Sequence, residues 1–274
     1  MKIVVLTENT TINPRLKKIH GLSIYIETEK HKLLFDLGPD DTFYHNAGLL
    51  GIDLTHVDTV VISHGHYDHG GGISRFLEIN DKAKIYIKRQ AFEPYYHKTM
   101  FVKSYIGLGP DLLSNERVIL TDDIQRIADE IFIFSDVKDT FDSKSSRSLL
   151  KKTNGKYEPD DFIHEQNLIL TSEGQTILFT GCSHKGIANI LRTADRHIQD
   201  INMVLGGFHL YNPITKIALP KEVLTLLATT LTEHNAIFYT GHCTGEKAYT
   251  IMKQTMGERL KHLSTGTIIE IPSS

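Results

Sequence analysis

Short apolar runs separated by turn formers open the chain: KIVVLT, LSIYIET, KLLFDLG and VDTVVIS. Each is rich in β-branched or aromatic residues and too short for an ordinary helix, so each predicts a strand. A short helix is expected near Thr42–Leu50, between the third and fourth. The final third has a different rhythm. Runs ILFTGC, NMVLGGF, AIFYTG and GTIIEI alternate with helical stretches at about 187–197, 220–233 and 245–256. Strands alternating with helices predict right-handed crossovers and helices packed outside a sheet. Between these regions, roughly residues 88–160, the pattern is irregular. This span holds Phe92, Tyr95, Tyr96, Phe101 and Tyr105, a Gly-Leu-Gly-Pro break at 107–110 and a polar stretch from Asp139 to Asp161. A long irregular segment inside a compact domain is more often a lid or cap than a linker. The reading is one domain over residues 1–274, β-rich and then α/β, with a cap or lid inserted at about 88–160.

Composition narrows the function classes. The chain has 274 residues, 40% hydrophobic and 23% charged, which is ordinary for a folded globular protein. A net charge of -3 and the lack of a basic tract argue against nucleic acid as partner. No apolar run reaches the roughly 18 residues of a membrane span. The start, MKIVVLTENT, reads as a first strand and not a signal peptide, so a cytoplasmic protein is expected. Cys182 and Cys243 cannot form a disulfide framework, which fits a reducing compartment. Histidine is the outlier, with fifteen residues against no tryptophan.

The histidines concentrate where chemistry is expected. Ser-His-Gly-His-Tyr-Asp-His-Gly-Gly-Gly occupies residues 63–72, just past the apolar run VDTVVI. His64 and His66 are two apart, so their rings leave one face of an extended strand end. Asp68 and His69 follow at once, where three glycines allow a tight turn before a helix at about 73–79. Four ligand-type side chains so close together are costly to bury without a compensating cation. Farther on, successive strands end in Cys182 and His184, in His209 and in His242. In a parallel sheet these carboxyl ends face one crevice, where ligands bind.

The pattern His-x-His-x-Asp-His resembles the signature of the metallo-β-lactamase superfamily. The likeness extends to Asp36 in LLFDLG, to Cys182 in ILFTGC and to His242 in YTGHCTG. It covers residues 1–80 and 160–274. A narrower likeness, to the subgroup of dihydropterin-ribofuranosyl-aminobenzene-phosphate synthases, rests on HGLS at 20–23, SHGHYDHGGG at 63–72, TGCSHKGI at 180–187, GGFHL at 206–210 and GHCTG at 241–245. The resemblance implies a four-layer αββα sandwich, α/β in class, with one or two metal ions at the strand ends. It implies His64, His66, Asp68, His69 and His242 as ligands, with Cys182 delivered to a second ion. His164 occupies the family's place for a third histidine, 18 residues before Cys182, and His184 is the rival. Packing is the alternative role for Cys182, as it is the reading for Cys243. His20 reads as a surface residue, as do His31, His45, His56, His97, His197, His234 and His262.

Thiolate and imidazole ligands favour zinc, one ion or two, with iron or manganese as alternatives. The implied reaction is hydrolysis of a small, anionic, ester-type or phosphate-bearing molecule by a metal-bound hydroxide. Asp68 is expected to orient that nucleophile, and His209 or His184 to donate a proton to the leaving group. Tyr95, Tyr96 and Tyr105 are placed to stack on a heteroaromatic ring. The competing class is a metal-dependent oxidoreductase or a metal-holding binding protein. No G-x-G-x-x-G follows a strand, so no nicotinamide or flavin fingerprint supports the redox reading.

Overall fold

The computed structural model describes residues 1–138, 146–212 and 215–272. The predicted strands form with boundaries shifted by a residue or a few, and the helices at Thr42–Leu49, Ile73–Ile79, Ile187–His197, Lys221–Thr232 and Glu246–Met256 fall where the periodicity places them. Two seven-stranded sheets carry the molecule. The first is ordered Ile268–Glu270, Lys2–Thr7, Ser23–Glu27, Lys32–Phe35, Thr59–Val61, Lys84–Lys88, Val118–Thr121. The second is ordered Leu260–His262, Ile237–Gly241, Met203–Gly207, Gln175–Phe179, Asn167–Ser172, Ile131–Phe134, Ile124–Arg126.

Strand alternation explains the four layers. Along KIVVL, Ile3 and Val5 join the core between the sheets, with Phe35, Leu168 and Phe179. Val4 and Leu6 face the other way and pack with Phe43 and Phe76 of the first pair of helices. Leu178, Val204 and Phe238 do the same on the far side, against Leu191, Leu224 and Met252. Both faces of each sheet are covered, which is why the strands read as continuous apolar runs.

Two expectations about topology change. GTIIEI does not extend the C-terminal parallel sheet. Its strand Ile268–Glu270 crosses back and pairs antiparallel with Lys2–Thr7. The span 88–160 is not one appendage either. Its ends supply a separate four-stranded sheet of Tyr95–Lys98, Lys103–Tyr105, Leu149–Thr153 and Lys156–Pro159. Its middle returns to the sandwich, giving Val118–Thr121 to the edge of one sheet and Ile124–Arg126 and Ile131–Phe134 to the other. Ile131 and Ile133 are wholly buried, and that burial holds the middle in the core. Part of the polar stretch from Asp139 to Asp161, residues 139–145, lies outside the described residues.

Gln175–Phe179, Met203–Gly207 and Ile237–Gly241 run parallel, as do Lys32–Phe35, Thr59–Val61 and Lys84–Lys88. Asp36, Ser63 and His64 follow the ends of the one set, and Cys182, His184, His209 and His242 follow the other.

Candidate metal centre

The loops after these strands bring two donor groups together. His64 Nε2 lies 3.0 Å from His66 Nδ1 and 3.4 Å from His184 Nε2. Beside them, His69 Nε2 lies 3.1 Å from His242 Nε2 and 3.2 Å from Cys182 Sγ. Asp68 Oδ2 is 3.4 Å from His242 Nε2 and 3.8 Å from His69 Nε2. The sets are adjacent, the His64 and His69 ring centres being 4.2 Å apart.

Outer hydrogen bonds aim these rings. Asp36 Oδ2 accepts from His69 Nδ1 at 2.6 Å and from the Ser63 hydroxyl at 2.7 Å, while its Oδ1 accepts the Ser63 amide at 2.7 Å. With its proton given to Asp36, Ser63 Oγ can only accept from His64 Nδ1, 2.9 Å away. His242 Nδ1 donates to Asn9 Oδ1 at 3.0 Å. His64, His69 and His242 therefore all spend Nδ1 outward and turn Nε2 inward, an arrangement that sets histidine tautomer and direction.

Local backbone strain accompanies this convergence. Asp36, Ser183, His209 and His242 have φ of 59°, 55°, 49° and 50°. Non-glycine residues in that region carry strain that persists only where surrounding contacts over-determine it, commonly at functional sites. Gly181 has the complementary reason: a Cβ there would collide with Ser63 Oγ and press on His64 Nδ1, so only glycine lets the strand-end loop approach.

Charge follows burial and neighbours. Burial, then the adjacent imidazoles, holds His64 and His184 well below the usual histidine range, and burial lowers His66. Burial also disfavours a charged His69, but Asp36 and Asp68 outweigh it and raise that residue. Burial opposes charge on Asp68, and His69, His20 and His242 override it, so its carboxyl lies well below the ordinary range.

The structure separates the two rivals for the third histidine. His184 joins His64 and His66. His164 is fully buried but turned away: Nδ1 accepts the Gly65 amide at 2.9 Å and Nε2 pairs with Asp160 at 3.1 Å. Both ring nitrogens of His164, expected as a third ligand, are thus engaged by Gly65 and Asp160. The loop carrying His184 is held instead by buried Glu165, which accepts the His184 amide at 2.6 Å and the Lys185 amide at 2.9 Å. His209 stands with its ring 4.4 Å from that of His184 and its amide 3.2 Å from Cys243 Sγ.

A cavity of about 630 Å³ opens over the donors. His20, read as a surface residue from the sequence, is on its wall, with Nε2 3.2 Å from Asp68 Oδ2 and its ring 4.7 Å from that of His242. His97 and His262 also line it. The aromatic lining is Tyr67, Tyr211 and Tyr249, in place of the expected Tyr95, Tyr96 and Tyr105. Tyr95 is buried against His164, Tyr96 packs on Tyr105 and Tyr157, and the Tyr105 hydroxyl donates to the Leu108 carbonyl. Those rings build the cap sheet. Helix Glu246–Met256 starts at the cavity wall, with Lys216 and Lys247 nearby, while the Glu246 carboxylate there pairs with His262 at 2.7 Å. Of the supporting residues, Asn9, Asp160 and Glu165 escaped sequence reading. The available signal was polar residues directly abutting strand ends or the metal motif, as in LTENT and PDDFIHE.

The model of the metallo-beta-lactamase superfamily matches residues 17–205, which contain the histidine motif and both strand-end loops around Asp36 and Cys182. The chain belongs to the metallo-beta-lactamase superfamily. Within the superfamily it is similar to the 7,8-dihydropterin-6-methyl-4-(beta-D-ribofuranosyl)-aminobenzene-5'-phosphate synthase of Methanocaldococcus jannaschii. The two are 29% identical over 269 residues, which cover 92% of this chain and 90% of the relative. Among solved structures it is similar to a metal-dependent hydrolase of the beta-lactamase superfamily, with TM-score 0.83, 28% identity and 99% of each chain covered. The Zn2+-bound PqqB of Methylobacterium extorquens shares the superfamily fold, with TM-score 0.59 and 10% identity over 99% of this chain and 100% of that one. The αββα sandwich expected from the motif is therefore the fold observed.

Proposed function

We propose that the chain is a metal-dependent hydrolase acting on a small anionic ester or phosphate-bearing molecule. The observation that carries the reading is the spacing of the inward-facing donors. A tetrahedral ion with bonds of about 2.0–2.1 Å to nitrogen sets its ligand atoms about 3.3–3.4 Å apart. The separations here, 3.0 and 3.4 Å in one set and 3.1 to 3.8 Å among His69, His242, Cys182 and Asp68 in the other, are close to the edges of such polyhedra. His64, His66 and His184 would hold one ion, and Asp68, His69, Cys182 and His242 a second. A thiolate among imidazoles favours zinc, with iron or manganese as alternatives. Bound there, the metal would supply Lewis acidity and a water acidified toward neutrality.

The remaining work falls to the chain's own residues. Asp68, anionic and at the cavity floor, orients a nucleophile. His209, beside the donors but outside both proposed sets, is assigned proton transfer to the leaving group. Tyr67, Tyr211 and Tyr249 supply an apolar wall, and Lys216 and Lys247 a cationic rim for an anionic substituent. The volume suits a small molecule and falls within the usual range of ligand pockets. Among the described residues no helix is long and apolar enough to cross a membrane.

Metal analysis with an activity screen of phosphoesters, thioesters and lactones tests the reading, using metal-depleted protein as control. Zinc, a featureless visible spectrum and chelator-sensitive hydrolysis are expected. Iron with a coloured spectrum and no hydrolysis would give the oxidoreductase reading the lead. The archaeal relative is named as a synthase, so the screen includes the reverse, bond-forming direction as the second reading.

A further inference from the structure

The segment just after the first strand bears on the site although no motif marks it. Lys2–Thr7 ends at Glu8 and Asn9, and both close on His242, which lies more than two hundred residues away in sequence. Asn9 makes three contacts. Its Oδ1 accepts from His242 Nδ1 at 3.0 Å and from the Gly21 amide at 3.3 Å, and its Nδ2 donates to the His242 carbonyl at 3.2 Å. Glu8, buried, accepts the His242 amide on Oε1 and is itself held on Oε2 by the Thr10 amide at 2.5 Å and hydroxyl at 2.6 Å. His242 is thus held at its amide, its carbonyl and its ring, in a left-handed conformation with φ of 50°.

We infer that Asn9 is the positioning residue of the Asp68–His242 half of the centre, fixing His242 as the Nδ1–H tautomer so that Nε2 faces Asp68 and His69. This rests on the metal reading above. An amide suits the task better than a carboxylate, because its oxygen accepts from the ring while its NH2 donates to the carbonyl of the same residue. Among the described residues Asn9 makes no hydrogen bond to His64, His66 or His184, and the outer nitrogen of His64 is held by Ser63 instead, so the effect of Asn9 is confined to one half-site. Outer partners that orient a metal histidine commonly change metal affinity by about 10- to 100-fold when removed.

Two variants and two measurements test this. Asn9→Leu removes both polar functions at similar volume, and Asn9→Asp keeps the acceptor for Nδ1–H. In metal-free full-length protein, nitrogen-15 NMR of the imidazoles should show His242 protonated on Nδ1 in the wild type and in Asn9→Asp, and the signature lost in Asn9→Leu. In zinc competition against a chelator, Asn9→Leu should weaken one ion about 10- to 100-fold and leave the other unchanged, with Asn9→Asp within a few-fold of wild type. Cobalt substitution should show the thiolate band from Cys182 weakened in Asn9→Leu alone. Unchanged tautomer and affinities in Asn9→Leu overturn the inference, as does equal loss of both ions in both variants. Wild-type protein that takes up no zinc overturns the metal reading, while the tautomer of His242 in the two variants still decides the role of Asn9.

Discussion

Replacing Asp36 by asparagine isolates the tautomer argument from the stability of the fold. Asp36 is fully buried and accepts three hydrogen bonds, from the Ser63 amide, the Ser63 hydroxyl and His69 Nδ1, at 2.7, 2.7 and 2.6 Å. Alanine would leave all three donors buried and unpaired, at roughly 1–3 kcal/mol each. The total, on the order of 5 kcal/mol, takes up much or all of the roughly 5–15 kcal/mol that holds a typical domain folded. Asparagine is milder and sharper. Its oxygen can keep the Ser63 amide, but its NH2 then faces the serine hydroxyl and the imidazole. The hydroxyl rotates, and His69 must move its proton from Nδ1 to Nε2, the atom proposed to bind metal. Exchanging two hydrogen bonds to a charged group for weaker ones costs about 2–4 kcal/mol of stability. The displaced tautomer should cost the second ion about 10- to 100-fold in affinity, or about 1.4–2.7 kcal/mol. Thermal melting gives the first quantity, and zinc content after dialysis against chelator-buffered zinc gives the second. An Asp36→Asn protein that melts lower yet holds both ions at wild-type affinity would refute the reasoning, because it would show that Asp36 serves the fold and not the direction of His69.

Four further outcomes are expected. His184→Ala should lose an equivalent of zinc at nearly unchanged melting temperature. His164→Ala should keep its zinc but lose about 2–4 kcal/mol of stability, since the Gly65 amide and the Asp160 carboxylate stay buried without their partner; the opposite pattern in metal content would restore His164 to the ligand set. Cys182→Ser should weaken one ion and abolish the thiolate band of the cobalt-substituted protein, whereas an unchanged band would make Cys182 a packing residue. His209→Ala should lower turnover with metal content unchanged, and loss of metal would place His209 among the ligands.

Much of this architecture was legible in the chain because it follows from local rules. Strand runs covered on both faces, helix periodicity and the glycine turn after His69 depend on residues within a few positions of one another. So does the cluster of His64, His66, Asp68 and His69, whose geometry is that of one strand end and one turn. The family resemblance added the partners farther along the chain. What remained open needed contacts across long sequence separations. His164 and His184 both sit near Cys182 in sequence, and only the packing shows that His164 goes to Gly65 and Asp160 while His184 faces His64. The span 88–160 lacks a clear period because its ends form a small cap sheet while its middle completes both large sheets, and edge strands take their partners from distant segments. Tyr95 became a packing ring and Tyr211 a cavity wall for the same reason. Aromatic content is visible in a sequence, but the side of the wall it occupies is not. Asn9 is the clearest case: nothing around LTENT names a partner, and its role exists only because the sandwich brings the end of the first strand against the loop after Ile237–Gly241. The sequence by itself determined most of the elements and the cluster of His64, His66, Asp68 and His69, because these are set by neighbours along the chain. The tertiary structure decided which histidines converge and which protons they carry, because those depend on hydrogen-bond partners supplied from elsewhere in the fold.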